Sequence, residues 1–170
     1  MIVRINPGRR PPDNEPSSPM SPELRHRNLA LLLLQAREGV MAGFRPLLKQ
    51  HGLTEQQWRV LRALLQHGSL EPRQLCEQCQ IVSPSLTGVL ARMQEMGLVL
   101  REKVPGDQRR LRISLTSRSK RLAAKMAPLI EARYVTMELE LGPELIAQVY
   151  ATLDQLLASL AERKGRERGG

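Results

Sequence analysis

The chain has 170 residues, 41% of them hydrophobic, which suffices for one core of ordinary size and favours one domain over two. Twenty-six Lys and Arg against 17 Asp and Glu give a net charge of +9, which calls for an anionic partner, nucleic acid ahead of an anionic membrane. The longest apolar run, Leu29 to Leu34, falls far short of a membrane span, and four aromatic residues, Phe44, Trp58, Tyr134 and Tyr150, are too few for a module that stacks single-stranded bases on exposed rings.

Residues 1–21 hold Pro7, Pro11, Pro12, Pro16 and Pro19 with almost nothing apolar after Ile5, so a disordered tail is expected, its Arg4, Arg9 and Arg10 belonging to a mobile leader in preference to a basic arm in the minor groove. The N-terminus lacks the charged-then-apolar pattern of an export signal, and a cytoplasmic protein is expected. From Leu24 to about His51, apolar residues recur at helical period, with Pro46 expected to bend the last turn. Ala30, Leu31 and Leu34 widen this stripe beyond one face, which asks for cover by a second subunit. Thr54 with Gln57 forms a capping box, opening a helix whose inner face is Trp58, Leu61, Leu64 and Leu65 and which stops at Gly68.

Two short helices follow in close succession, Pro72 to about Cys79 and Ser83 to Met96, the second with Ser83 as its expected N-cap and Gly97 closing it. In the second, Leu86, Val89, Leu90 and Met93 point inward, leaving Ser85, Thr87, Gly88, Ala91 and Arg92 outside. That slim, hydrogen-bonding outer face suits the second helix of a helix-turn-helix, which must enter the major groove without bulky obstruction. Two strand-like runs come next, Leu98 to Leu100 and Leu111 to Leu115, with a hairpin tip at Gly106 to Arg110. Residues 99–125 carry nine cationic side chains against Glu102 and Asp107, so a net +7 of the +9 lies here, as a phosphate-contacting surface requires. Thr116 caps a long helix that Pro128 is expected to kink, and a last helix runs from Pro143 through Leu160 before a charged, fraying end. The fold class is therefore mainly α with a small β-hairpin wing, a winged helix-turn-helix between N- and C-terminal helices.

These residues resemble the MarR family of winged-helix transcriptional regulators over about residues 24–162. The resemblance rests on the recognition-helix stretch from Leu86 to Met93 ending at Gly97-Leu98-Val99, and on the wing, Asp107-Gln108-Arg109-Arg110 followed by Ile113-Ser114-Leu115-Thr116. Within the family, the stretches Thr54 to Arg62 and Ser83 to Met93 are similar to regulators of homoprotocatechuate (4-hydroxyphenylacetate) degradation operons. Gly88 stands where many members have Arg and Ala91 where they have Asp, so base preferences do not carry over; Ser119 stands where a Gly is usual, a departure expected to leave the fold unharmed.

The resemblance implies a homodimer on double-stranded DNA, its operator a pseudo-palindrome, and divides the chain into a tail (1–21), an N-terminal dimerisation helix (22–52), a DNA-binding lobe (53–116), C-terminal dimerisation helices (117–162) and a disordered end (163–170). For DNA it implies Ser83, Ser85, Thr87 and Arg92 on the recognition helix, Arg109 or Arg110 in the minor groove, Asp107 orienting one of them, and Arg112 on phosphate. It further implies a phenolic-acid effector that releases the repressor from an aromatic-acid catabolic operon, held near Trp58, Arg62, Arg37, Arg45 and His51. Two other readings compete: a non-specific architectural DNA-binding protein, and a thiol-based redox regulator built on Cys76 and Cys79. The two cysteines lack the partners of a zinc or thioredoxin-type centre, and one thiol buried against the recognition helix is expected instead. His26, His51 and His67 are scattered, and no nucleophile-base set, metal cluster or Gly-rich phosphate loop marks an enzyme or a cofactor.

Overall fold

The computed structural model describes residues 25–104 and 106–168, with Val104, Gln108, Arg109 and Arg168 described by their backbone alone. The Pro-rich tail expected over residues 1–21 lies outside the described residues. Six helices and three short strands follow one another as α1 (Leu29–Gln50), α2 (Glu55–His67), β1 (Ser69–Leu70), α3 (Pro72–Cys79), α4 (Ser83–Glu95), β2 (Val99–Val104), β3 (Asp107–Leu115), α5 (Ser117–Leu141) and α6 (Pro143–Arg168). This is the expected order of helices and hairpin, with β1 added. Among the described residues no helix is long and apolar enough to cross a membrane.

Local chemistry accounts for most boundaries. Asn28 accepts from the Leu31 amide at 2.9 Å, so α1 begins at Leu29 rather than at Leu24. Helix α1 then continues through Pro46, and α5 through Pro128. The Thr54–Gln57 capping box is complete, with bonds of 2.9 and 3.2 Å. At the end of α4, Gly97 takes a φ of 66°, its amide bonds Gln94 at 2.9 Å and the Leu98 amide bonds Met93 at 2.8 Å, the pairing of a Schellman motif. The N-cap of α4 is Val82, not Ser83: the residue is already helical, and Thr87 Oγ1 donates to its carbonyl at 3.1 Å. The end expected to fray from Arg163 is helical to Arg168, where Arg163 pairs with Glu167 at 3.0 Å and Glu162 with Arg166 at 3.8 Å one turn apart.

The sheet is antiparallel with β3 in the centre, β1 and β2 on its flanks. Register is regular from Val99 opposite Leu115 to Lys103 opposite Leu111, then jumps to Val104 opposite Asp107, so Gln108, Arg109 and Arg110 bulge from β3 without a partner on β2. Strand β1 pairs Ser69 with Ser114 and Leu70 with Ile113, fastening the start of the helix-turn-helix to the wing.

One core runs from Phe44 and Leu48 of α1, through α2, α3, α4 and the sheet, to Met126 and Ile130 of α5. The four inward residues expected on α4 are all buried. On α2 the buried face is Gln57, Val60, Leu61 and Leu64, while Leu65 is exposed and Trp58 half-buried, so the inner face is turned by about one residue from the expected one. Thr116 ties lobe to arm: its hydroxyl donates to the Gly97 carbonyl at 2.8 Å and accepts from the Ser119 amide at 3.2 Å. Ser119 is fully buried, and its hydroxyl donates to the Thr116 carbonyl at 2.9 Å, so the departure from Gly is satisfied in place.

Candidate nucleic-acid interface and effector crevice

Burying Leu86, Val89, Leu90 and Met93 turns Ser83, Ser85, Thr87, Gly88 and Arg92 to the outside of α4, where all five are exposed and Ala91 is half-buried. A Cβ built at Gly88 would meet nothing within 4 Å, so this face is open backbone and short hydroxyls rather than packed surface. Free amides and the positive end of the helix dipole lie at the same end, a combination that attracts phosphate and base acceptors.

The wing projects beside it. Arg112 is exposed and stands opposite Glu102 in the ladder. Arg110 reaches back to Glu71 at the start of α3, its Nε donating to Oε1 at 3.0 Å and its Nη2 pairing with the same oxygen. Glu71, and more weakly the charge of Asp107, favour the Arg110 cation and raise its pKa above the usual guanidinium value. The bonded partner of Arg110 is thus Glu71, with Asp107 acting on it through its charge, while the side chain of Arg109 lies outside what is described.

Arg101 was not among the expected contacts. It is half-buried on the side of β2 that faces α4, and with Ala91, Gln94 and Glu95 it lines an open groove of about 410 Å³. Its Nε and Nη2 are buried with no acceptor among the described residues. The alternation Val99, Arg101, Lys103 along β2 was the signal that could have placed it on the inner side of the hairpin.

Between α1, α2 and α5 lies a crevice of about 150 Å³. Helix α2 contributes Glu55, Trp58, Arg59 and Arg62, and α1 contributes Arg37. Phe44 and Tyr134 close it from opposite helices, their rings tilted at 52° with centroids 4.8 Å apart. Of the five residues expected near an effector, Trp58, Arg62 and Arg37 meet here and two do not. Arg45 turns to Glu38 and to Glu55, the latter at 3.5 Å, and the His51 Nδ1 lies 3.0 Å from the Leu47 carbonyl at the end of α1. Arg37 is itself paired with Glu38 at 2.6 Å and with Glu55. Arg45 chiefly, by a hydrogen bond, holds the Glu38 carboxyl below the usual carboxylate range. Glu55, Arg59 and Tyr134 were missed because their approach depends on how three helices pack.

Cys79 is buried in the core and Cys76 half-buried. Burial pushes the Cys79 thiol up, against the opposing pull of Arg59, which lowers the thiolate fraction that reaction with an oxidant requires. Among the described residues no group of three His, Cys, Asp or Glu is placed to hold a metal ion.

Comparison with known proteins agrees with this fold. A family model described as MarR family matches residues 51–110. The homoprotocatechuate degradative operon repressor of Escherichia coli is 43% identical over 133 residues, covering 78% of this chain and 90% of that protein. A crystal structure of the transcriptional regulator PA4135 superposes with a TM-score of 0.76 at 46% identity, covering 78% of this chain and 98% of that one. The crystal structure of NadR in complex with 4-hydroxyphenylacetate superposes with a TM-score of 0.69 at 39% identity, covering 84% of this chain and 98% of the other.

Proposed function

The chain belongs to the MarR family, and on that premise we propose that it is a dimeric, sequence-specific transcriptional repressor of an aromatic-acid catabolic operon, released from its operator by a phenolic acid. The observation that carries the DNA half is the pairing of an exposed, short-chained face on α4 with an arginine-bearing bulge on the adjacent wing. In this reading Ser83, Ser85, Thr87 and Arg92 contact bases and phosphates in the major groove, Arg109 enters the minor groove, and Arg112 takes a phosphate. Arg110 braces the wing against α3 through Glu71. The exposed leucines of α1 and α6 support a twofold partner, which sets the two recognition helices about 34 Å apart and makes the operator a pseudo-palindrome.

The effector half is supported by the crevice, where Trp58 and Tyr134 offer aromatic walls and Arg59 and Arg62 offer positive charge to a carboxylate. The 4-hydroxyphenylacetate bound by NadR supports the chemical class. A mobility-shift titration with 4-hydroxyphenylacetate or 3,4-dihydroxyphenylacetate is expected to dissolve the operator complex, and an intact complex at saturation refutes the effector class. For the wing, Arg109→Ala with Arg110→Ala is expected to leave the dimer folded, weaken operator binding strongly, and flatten its salt dependence by roughly 0.9 in log–log slope for each phosphate no longer neutralised. Equal affinity for operator and bulk DNA in wild type would favour the architectural alternative.

A further inference from the structure

One side chain belongs both to the crevice and to the turn that sets the recognition helix. Arg59 lines the crevice, and its Nη1 donates to the Cys79 carbonyl at 2.6 Å and, more distantly, to the Gln80 carbonyl at 3.4 Å. These carbonyls end α3 and open the turn into α4, where Gln80 holds a φ of 50°. A non-glycine residue keeps such a conformation only when its surroundings fix it. The Nε of the same guanidinium is buried with no acceptor among the described residues. Arg37 on the same wall differs, since Glu38 and Glu55 pair with it. Desolvation and the Arg37 charge both act against the Arg59 cation, so an anion arriving beside it is favoured. A guanidinium presents fixed pairs of N–H groups that match a carboxylate, and with Nη1 on the turn the remaining pair is Nε with Nη2.

We propose that Arg59 is the positioning residue that carries crevice occupancy to the recognition helix: an aromatic acid's carboxylate takes the Nε–Nη2 edge while Nη1 keeps the Cys79 and Gln80 carbonyls, so the bound acid fixes the α3–α4 turn. The proposal rests on the phenolic-acid reading above and adds its route to the DNA. A ligand shifts an equilibrium only through contacts that differ between the two states, and the carboxylate's bond to an Arg59 held on the turn, lost when Arg59 leaves it, is such a contact. Arg62, exposed on the same wall, has no bond to the turn among the described residues and contributes to affinity alone.

The test uses the full-length dimer as wild type, Arg59→Gln and Arg59→Lys, with 4-hydroxyphenylacetate and its uncharged analogue 4-hydroxyphenylacetamide. Three quantities are read: ligand Kd by calorimetry, the ratio of operator Kd with and without saturating ligand, and amide exchange at Ile81, whose N–H bonds the Cys76 carbonyl at 3.1 Å. In wild type the acid is expected to raise operator Kd about tenfold or more and slow Ile81 exchange, and the amide to do neither. In Arg59→Gln and Arg59→Lys, at saturation with the acid, the operator Kd ratio is expected to fall to about 1 and the exchange response to vanish. Full release of a saturated Arg59→Gln or Arg59→Lys, or release of wild type by the amide, overturns the proposal and leaves the phenolic-acid reading standing. A wild type that binds neither compound overturns both. Should Arg59→Gln fail to fold, Arg59→Lys and the amide on wild type decide.

Discussion

The lobe from α2 to β3 and the arms formed by α1, α5 and α6 meet the demand for burial in opposite ways. On α4, Leu86, Val89, Leu90 and Met93 are each at most 8% exposed, whereas on α1 Leu29, Leu31, Leu33 and Leu34 stand between 40% and 56% exposed. The lobe closes its core with residues of one chain; the arms carry apolar surface that one chain does not cover. Sequence alone suggested the same contrast, since α4 has a narrow apolar stripe and α1 a wide one. Stability of the lobe and the proposed pairing of two chains therefore fall to different residues, and separate substitutions should reach them.

The largest effect is expected where the arms are opened. Leu34→Glu with Leu157→Glu, at positions 52% and 62% exposed, should leave each chain folded and dissociate the dimer in sedimentation. Operator affinity should fall about 10²–10⁴-fold as two linked half-sites become one. A folded dimer with native affinity would erase the contrast between arms and lobe. In the lobe, Met93→Ala removes a fully buried side chain and is expected to cost about 2–5 kcal/mol in urea unfolding, with association intact in the folded population. The smallest effect concerns the ion pairs of Glu38 with Arg37 and Arg45 within α1, beside the pairs that the same arginines make to Glu55 of α2. The folded Glu38 carboxyl titrates below its ordinary value, so its contribution is complete above the ordinary carboxylate range and is lost as pH falls through the lowered one. A series of Tm values against pH for wild type and Glu38→Gln should differ slightly at neutral pH and converge in acid, slightly because the paired side chains are more than 40% exposed.

What sequence revealed of the fold was whatever depends on neighbours along the chain. The Thr54 box, the Gly97 stop, the Thr116 cap and the inward face of α4 are set within one or two turns, and each stands where expected. Strand β1 escaped because Ser69 and Leu70 are too few to show a period, and its pairing is made 45 and 43 residues further on, at Ser114 and Ile113. Ser83 looked like a cap because Ser commonly is one, but the chain turns helical one residue earlier. The continuation of α6 past Arg163 has no apolar period to announce it, and carries instead ion pairs one turn apart. The site divides the same way. The α4 face was legible from spacing, while the hold of Glu71 on Arg110 and of Arg59 on the Cys79 carbonyl joins residues 39 and 20 positions apart and comes only with the packing.

Thr116 sits where the two regions touch. Because one hydroxyl binds both the junction at the foot of α4 and the first turn of α5, and the Thr116 amide bonds the Leu98 carbonyl at 3.2 Å, the long helix cannot swivel without dragging that junction along. Helix and lobe thus share one residue as their joint, since Thr116 ends the wing and is itself the N-cap of α5.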